Sequence, residues 1–230
     1  MQQCWCLVWQ DCCFLVKCKG LQYAKPQLVL SLGWQNDNKF LNTEVVMSVS
    51  QQSYSNWMVR LHWLTVLLII AIYASIEFRG IFEKGTAERD LIKEVHFVLG
   101  LSLWLITLLR LVVRRFSVIP AIEPAPSALA IKISGLMHLA LYGFLLLMPL
   151  LGWLILSAGD KVIPFWGFQL PALIGPDPDL AGSMKEIHEV LGTAGYVLIA
   201  VHTLGALAHH YRLKDNTLKR MLPGLFGQKS

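Results

Sequence analysis

The chain has 230 residues and a formal net charge of +5; 55% of its residues are hydrophobic and only 15% are charged. A soluble globular domain carries about 25% charged residues, so these proportions, with a positive mean hydropathy, exclude an ordinary water-soluble enzyme. The basic residues gather at the ends of apolar runs, which accounts for the net charge without any nucleic-acid partner.

Residues 1–46 differ from the rest. All five cysteines (Cys4, Cys6, Cys12, Cys13 and Cys18) fall here. Their spacing does not match the C-x₂-C pairs of zinc or redox sites. The segment also lacks the basic start, apolar run and small-residue cleavage site of a signal peptide. The expectation is a start-site artefact, with translation beginning at Met47, or a disordered extension. Residues 47–230 are then the membrane domain.

Four apolar runs follow. Trp63–Ile76, Val95–Leu109, Ile133–Gly159 and Val190–Tyr211 contain no Asp, Glu, Lys or Arg. With their flanks they approach or exceed the roughly 20 apolar residues that a helix needs to cross a bilayer core. The strict alternation of membrane strands is absent. The expected fold is all-α, an integral membrane four-helix bundle with helices near 58–78, 95–114, 133–157 and 188–211, embedded in membrane lipid.

The connecting segments set an expected orientation. Glu77–Glu94 holds four basic and five acidic residues, Arg110–Lys132 four and one, Ser157–Ile187 two and four, and the tail from Tyr211 five and one. Lys and Arg are enriched on the cytoplasmic side. Both termini and the middle loop are therefore expected in the cytoplasm of a bacterial cell, with the other two loops outside its inner membrane. The third loop is rich in aromatics (Phe165, Trp166, Phe168) and is expected at the outer interface, as an anchor or a short cap.

Histidine is the chemistry-bearing residue of the four runs. His188 and His202 are fourteen residues apart, so in a helix they share nearly one face and are separated by roughly 21 Å. In the expected topology His96 lies at the depth of His188, and His62 at that of His202. Two cross-helix imidazole pairs at two depths are what two stacked b-type haems require as axial ligands. Gly100, Gly192 and Gly205 lie one turn from a histidine, where a flat macrocycle could approach the backbone. No C-x-x-C-H motif is present, so covalent c-type attachment is excluded. His138 is the rival ligand at the inner level; otherwise it belongs to a quinone site or to the packing around the ligands. His209 and His210 end the last helix, where one of them can hydrogen-bond a quinone carbonyl or relay its protons.

The sequence from about Tyr54 to Pro223 resembles the bacterial cytochrome b561 family. The likeness is carried by Leu-His-Trp-Leu at 61–64, Glu-Phe-Arg-Gly at 77–80, Val-His-Thr-Leu-Gly-Ala-Leu-Ala-His-His-Tyr at 201–211 and Lys-Asp-Asn-Thr-Leu at 214–218. The resemblance implies two b haems ligated by His62, His96, His188 and His202. It further implies oxidation of superoxide to dioxygen at the periplasmic face and reduction of ubiquinone within the membrane. Superoxide is an anion, and the outer loops offer Arg79, Lys84, Arg89, Lys93, Lys161 and Lys185 to attract it. Arg79 and Lys93, close to helix ends near His96, are the first candidates for that catalytic role. The alternative within the same chemistry is an electron-transfer subunit that links a periplasmic dehydrogenase or hydrogenase to the quinone pool. A haem-free transporter that uses the histidines for protons is the reading from a different class.

Overall fold

A computed structural model describes residues 54–117 and 121–222. The 1–46 extension and its cysteines lie outside the described residues. Four long helices run α1 (Asn56–Arg79), α2 (Ala87–Phe116), α3 (Ala128–Ala158) and α4 (Pro178–Ala208). A short hairpin, β1 (Ile163–Phe165) and β2 (Phe168–Leu170), interrupts the α3–α4 connection. A π turn at His209–Leu213 prolongs α4 and leads to the short α5 (Thr217–Met221). All four long helices have the length and composition to cross a membrane.

The helices outrun the apolar stretches that announce them. Relative to the expected boundaries, α2 starts at Ala87 rather than near 95, α3 at Ala128 rather than near 133, and α4 at Pro178 rather than near 188. The extra turns carry charged residues and each begins at a cap. Thr86 accepts from Arg89 N at 3.4 Å, Ser127 from Ala130 N at 3.2 Å and Asp177 from Leu180 N at 3.0 Å. Each side chain thus satisfies an amide that the first helical turn leaves unpaired. Glu88, Asp90 and Asp179 fall in first turns, where the helix dipole favours negative charge. Pro178 opens α4 at a position where its missing N–H costs nothing.

Sequential helices pack side by side with alternating direction, α1 on α2, α2 on α3 and α3 on α4. The ring closes between α1 and α4, where Tyr73 OH donates to Gly192 O at 2.8 Å and Tyr196 OH donates to Glu77 Oε1 at 2.7 Å. The bundle is apolar outside: Leu67, Ile70, Leu147, Val190, Val197 and Leu204 are all exposed. Inside, beside apolar residues such as Leu61, Leu103 and Leu145, it buries hydroxyls at Thr65, Thr107 and Ser157. Each of these donates to the carbonyl four residues earlier in its own helix, at 2.7, 2.8 and 2.9 Å respectively. Hydrocarbon offers no other partner for such a group.

The hairpin folds down onto the α2–α3 pair. Ile163 is only 2% exposed, seated on Leu101 and Leu156 with Phe97 and Trp153 beside it. Trp166 Nε1 reaches Ser102 Oγ on α2 at 3.0 Å. Its two turn residues, Trp166 (φ 47°) and Gly167 (φ 85°), are both left-handed, as in the two-residue hairpins whose twist matches the flanking strands. Replacing Gly167 by Val puts a β-branched side chain in that region, at a cost of about 1–2 kcal/mol. The expected result is a lower melting temperature and faster proteolytic cutting at the hairpin, with helix content unchanged by circular dichroism.

Candidate functional site

The two ends of the bundle are distinguished below as the hairpin end and the tail end, the latter carrying α5. Toward the hairpin end, His96 lies nine residues into α2 and His188 ten residues into α4. Both are deeper than the apolar runs implied, because the polar first turns belong to the helices. Their ring centroids are 6.3 Å apart, at 72° to one another. A metal–imidazole bond of about 2 Å leaves each ring centre about 3 Å from the metal, so two axial imidazoles have centres about 6 Å apart. The pair fits an iron between the rings.

Second-partner contacts agree with that fit. His96 Nδ1 lies 3.1 Å from Ser75 Oγ and 3.4 Å from Ile72 O on α1. With Nδ1–H donated to the carbonyl, Nε2 keeps its lone pair for a metal, and the ring orientation is fixed. On the other side, His188 Cε1 would stand 3.8 Å from a Cβ at Gly152, so α3 leaves room for the imidazole. His188 Nδ1 is buried without a protein partner.

The tail-end level gathers three imidazoles rather than two. His138 and His202 face each other with centroids 5.6 Å apart, and His62, six residues into α1, shares their electrostatic neighbourhood. His138 lies ten residues into α3, well beyond the single turn expected from a helix starting at 133. Its Nδ1 is held by Ser134 O at 2.7 Å. His62 Nδ1 is buried and unpartnered. The field of Arg110 reaches all three rings. The sequence reading placed Arg110 within the helix expected near 95–114 but counted its charge with the middle loop and gave it no role, because the charge-free run stops at Leu109. It lies inside α2, six residues before the helix ends. The available signal was its spacing: Arg110 follows His96 by the same fourteen residues that separate His188 from His202.

Between the two levels the bundle narrows. Gly195 is buried and lies midway between His188 and His202 on their shared face; a Cβ there would collide with the Tyr73 hydroxyl and the Phe144 ring. Tyr73 also stacks at 4.2 Å on Tyr196. Helix packing therefore requires glycine at Gly195, a position that the one-turn spacing, which concerns room for a macrocycle, does not address. Added Cβ atoms at Gly100 and Gly205 would meet nothing within 4 Å, and one at Gly192 only Met148 Cε at 3.7 Å.

Of the basic residues near the hairpin end, several are already engaged. Lys93 pairs with Asp90 at 2.7 Å and Lys185 with Glu189 at 3.5 Å, while Arg89 donates to Phe82 O at 2.6 Å. Lys93 and Lys161 line a shallow cleft of about 320 Å³ together with Asp90 and Glu94. Arg79 is half-buried in the last turn of α1 and its field reaches His96. At the tail end, His209 Nδ1 bonds Asp215 Oδ2, and Thr217 N donates to Asp215 Oδ1 at 3.0 Å. Asp215 is 3% exposed. Burial alone would raise its carboxyl pKa, but the hydrogen bonds from His209 and Thr217 outweigh this and hold it below the usual carboxylate range.

An all-α membrane bundle whose interior is lined with facing imidazoles has the construction of a membrane cytochrome. The chain belongs to the prokaryotic cytochrome b561 family, whose model matches residues 53–224. It is 38% identical over 170 residues to cytochrome b561 homolog 1 of Escherichia coli K12, covering 74% of this chain and 97% of that protein. It is 34% identical over 173 residues to the probable superoxide oxidase CybB of Yersinia pestis, covering 75% and 97%. Against cytochrome b561 homolog 2 of Escherichia coli K12 the identity is 31% over 165 residues, covering 70% and 86%. Membership makes the protein a membrane electron-transfer protein that binds haem b.

Two outcomes are expected from this geometry. Gly195→Ala forces Tyr73 and Phe144 apart and lowers the thermal stability of the haem-free protein by about 1–3 kcal/mol, whereas Gly100→Ala leaves it within about 1 kcal/mol of wild type. For Asp215, the folded pKa lies below the unfolded value of about 3.9. Its contribution is thus complete above about pH 4 and is lost as pH falls through the folded value. Asp215→Asn is expected to lower stability by about 1–3 kcal/mol at pH 7, and the gap to wild type should narrow in melting curves taken below pH 4.

Proposed function

We propose that the chain is a superoxide:ubiquinone oxidoreductase of the bacterial inner membrane, with two haems b, one at each histidine level. The hairpin end faces the periplasm and both termini the cytoplasm, as the charge bias of the loops supports. His96 and His188 hold the periplasmic haem, and His62 and His202 hold the cytoplasmic one. The observation that carries the reading is the 6.3 Å separation of the His96 and His188 rings. The likeness to a probable superoxide oxidase supports the choice of substrate.

Two superoxide anions give up one electron each and leave as dioxygen. One ubiquinone takes both electrons and two protons and leaves as quinol. When bound, haem iron supplies the one-electron steps that join these half-reactions. The protein's own residues do the rest. Arg79, next to His96, attracts the anion; Lys93 adds a weaker pull because Asp90 offsets its charge. The lipid-facing apolar side chains keep water from the interior. His138, fixed by Ser134 O, borders the cytoplasmic haem and the quinone. Asp215 orients His209, whose free nitrogen bonds the quinone carbonyl and passes it a proton from the cytoplasmic side.

The test is stopped-flow mixing of the oxidised, haem-loaded protein with superoxide. Reduced b-type absorption should appear and then disappear on addition of ubiquinone. Arg79→Gln should slow the superoxide phase about tenfold at low ionic strength and flatten its salt dependence, leaving reoxidation by quinone unchanged. Haem that is fully loaded but indifferent to superoxide would sink the substrate assignment and favour the subunit that serves a periplasmic dehydrogenase or hydrogenase.

A further inference from the structure

Arg110 is a cation inside a membrane helix, and no described residue gives it a counter-charge. Among the described residues it takes part in no ion pair, and its Nε is buried without a hydrogen-bond partner. Its guanidinium lies 5.7 Å from the centre of the Tyr142 ring, and Tyr142 OH is likewise buried and unpartnered. Tyr142 stands one turn beyond His138 on α3, and the Arg110 field reaches His62, His138 and His202. The side chain therefore points into the bundle at the tail-end histidine level. Anchoring to the membrane surface does not explain it, because Arg114 and Arg115 already occupy the last turn of α2. Arg110 is half-buried, its buried Nε is left without a partner at a free-energy cost, and neutral imidazoles cannot supply a counter-charge.

We propose that Arg110 and Tyr142 form a carboxylate-binding site that takes a propionate of the tail-end haem, an inference that rests on the two-haem reading above. A guanidinium presents N–H donors in a planar fork that matches a carboxylate, and the phenol adds a third donor. The charge balances: the propionate supplies the negative charge that the interior lacks. With His62 and His202 holding that haem, the site would also fix how the bound group is turned, which the two imidazoles alone would leave free.

The measurement is a titration of the haem-free full chain in detergent with haem b and, separately, with haem b dimethyl ester, whose propionates are uncharged. Absorbance of the bound form is the readout. Wild type should take up two haems b and bind the ester about tenfold to hundredfold more weakly at one of its two sites. In Arg110→Gln that site should bind haem and ester alike. Tyr142→Phe should show a smaller loss for haem b. The ester arm uses the unaltered chain, so the proposal stands or falls even where Arg110→Gln does not assemble. Two haems bound with no preference over the ester would overturn this proposal alone, as would an ester penalty that persists in Arg110→Gln. A thermal shift of the haem-free chain with phosphatidylglycerol micelles that vanishes in Arg110→Gln, without any ester penalty, would give the site to a lipid phosphate and also overturn it. A wild-type chain that takes up fewer than two haems would overturn the two-haem reading and this proposal with it.

Discussion

In hydrocarbon a polar group must find its partner inside the protein, and this constraint shapes every level of the bundle. The backbone meets it by staying helical for the whole crossing. Buried hydroxyls meet it by bonding the carbonyl one turn back, as Thr65, Thr107 and Ser157 do. Histidine cannot meet it so simply, since an imidazole has two nitrogens and one backbone carbonyl satisfies only one of them. His96 and His138 each place Nδ1 on a carbonyl, on α1 and on their own helix respectively. The other nitrogen of each ring still needs a partner, a need that haem iron can meet.

The two histidine levels are kept apart by packing. Gly195 admits Tyr73 and Phe144 to the bundle axis midway between His188 and His202. Tyr73 then ties α1 to α4 through Gly192 O. This aromatic contact closes the ring of helices between the two levels. The same contact leaves the face of α4 open on either side, since Gly195 is the buried residue of that helix.

The two ends differ in how charge is managed. At the hairpin end three of the six outer-loop cations, Arg89, Lys93 and Lys185, are engaged locally by a carbonyl or an acid. At the tail end a single buried carboxylate, Asp215, organises the π turn through His209 and the start of α5 through Thr217. Asn216 links this turn to the α2–α3 connection by exchanging hydrogen bonds with Glu123, at 3.1 Å each way. The end of α4 is therefore locked to the rest of the bundle at the level where the proposed quinone chemistry takes place.

Much of this was legible in the sequence, because hydrophobic run length and helical periodicity are local properties. Four charge-free runs determined four spanning helices, and the fourteen-residue interval determined that His188 and His202 share a face. Local runs understated the helices, since caps such as Thr86 and Asp177 begin them in polar sequence. Arg110 fell within the expected second helix, but its charge was counted with the loop that follows, so its place beside the tail-end histidines was not read. Only the tertiary structure decided that His138 stands against His202, that Gly195 rather than Gly100 or Gly205 is the glycine the packing needs, and that Lys93 is tied to Asp90. Those facts depend on the rotation and lateral offset of one helix against another, and the spacing of residues along a single chain carries no information about either.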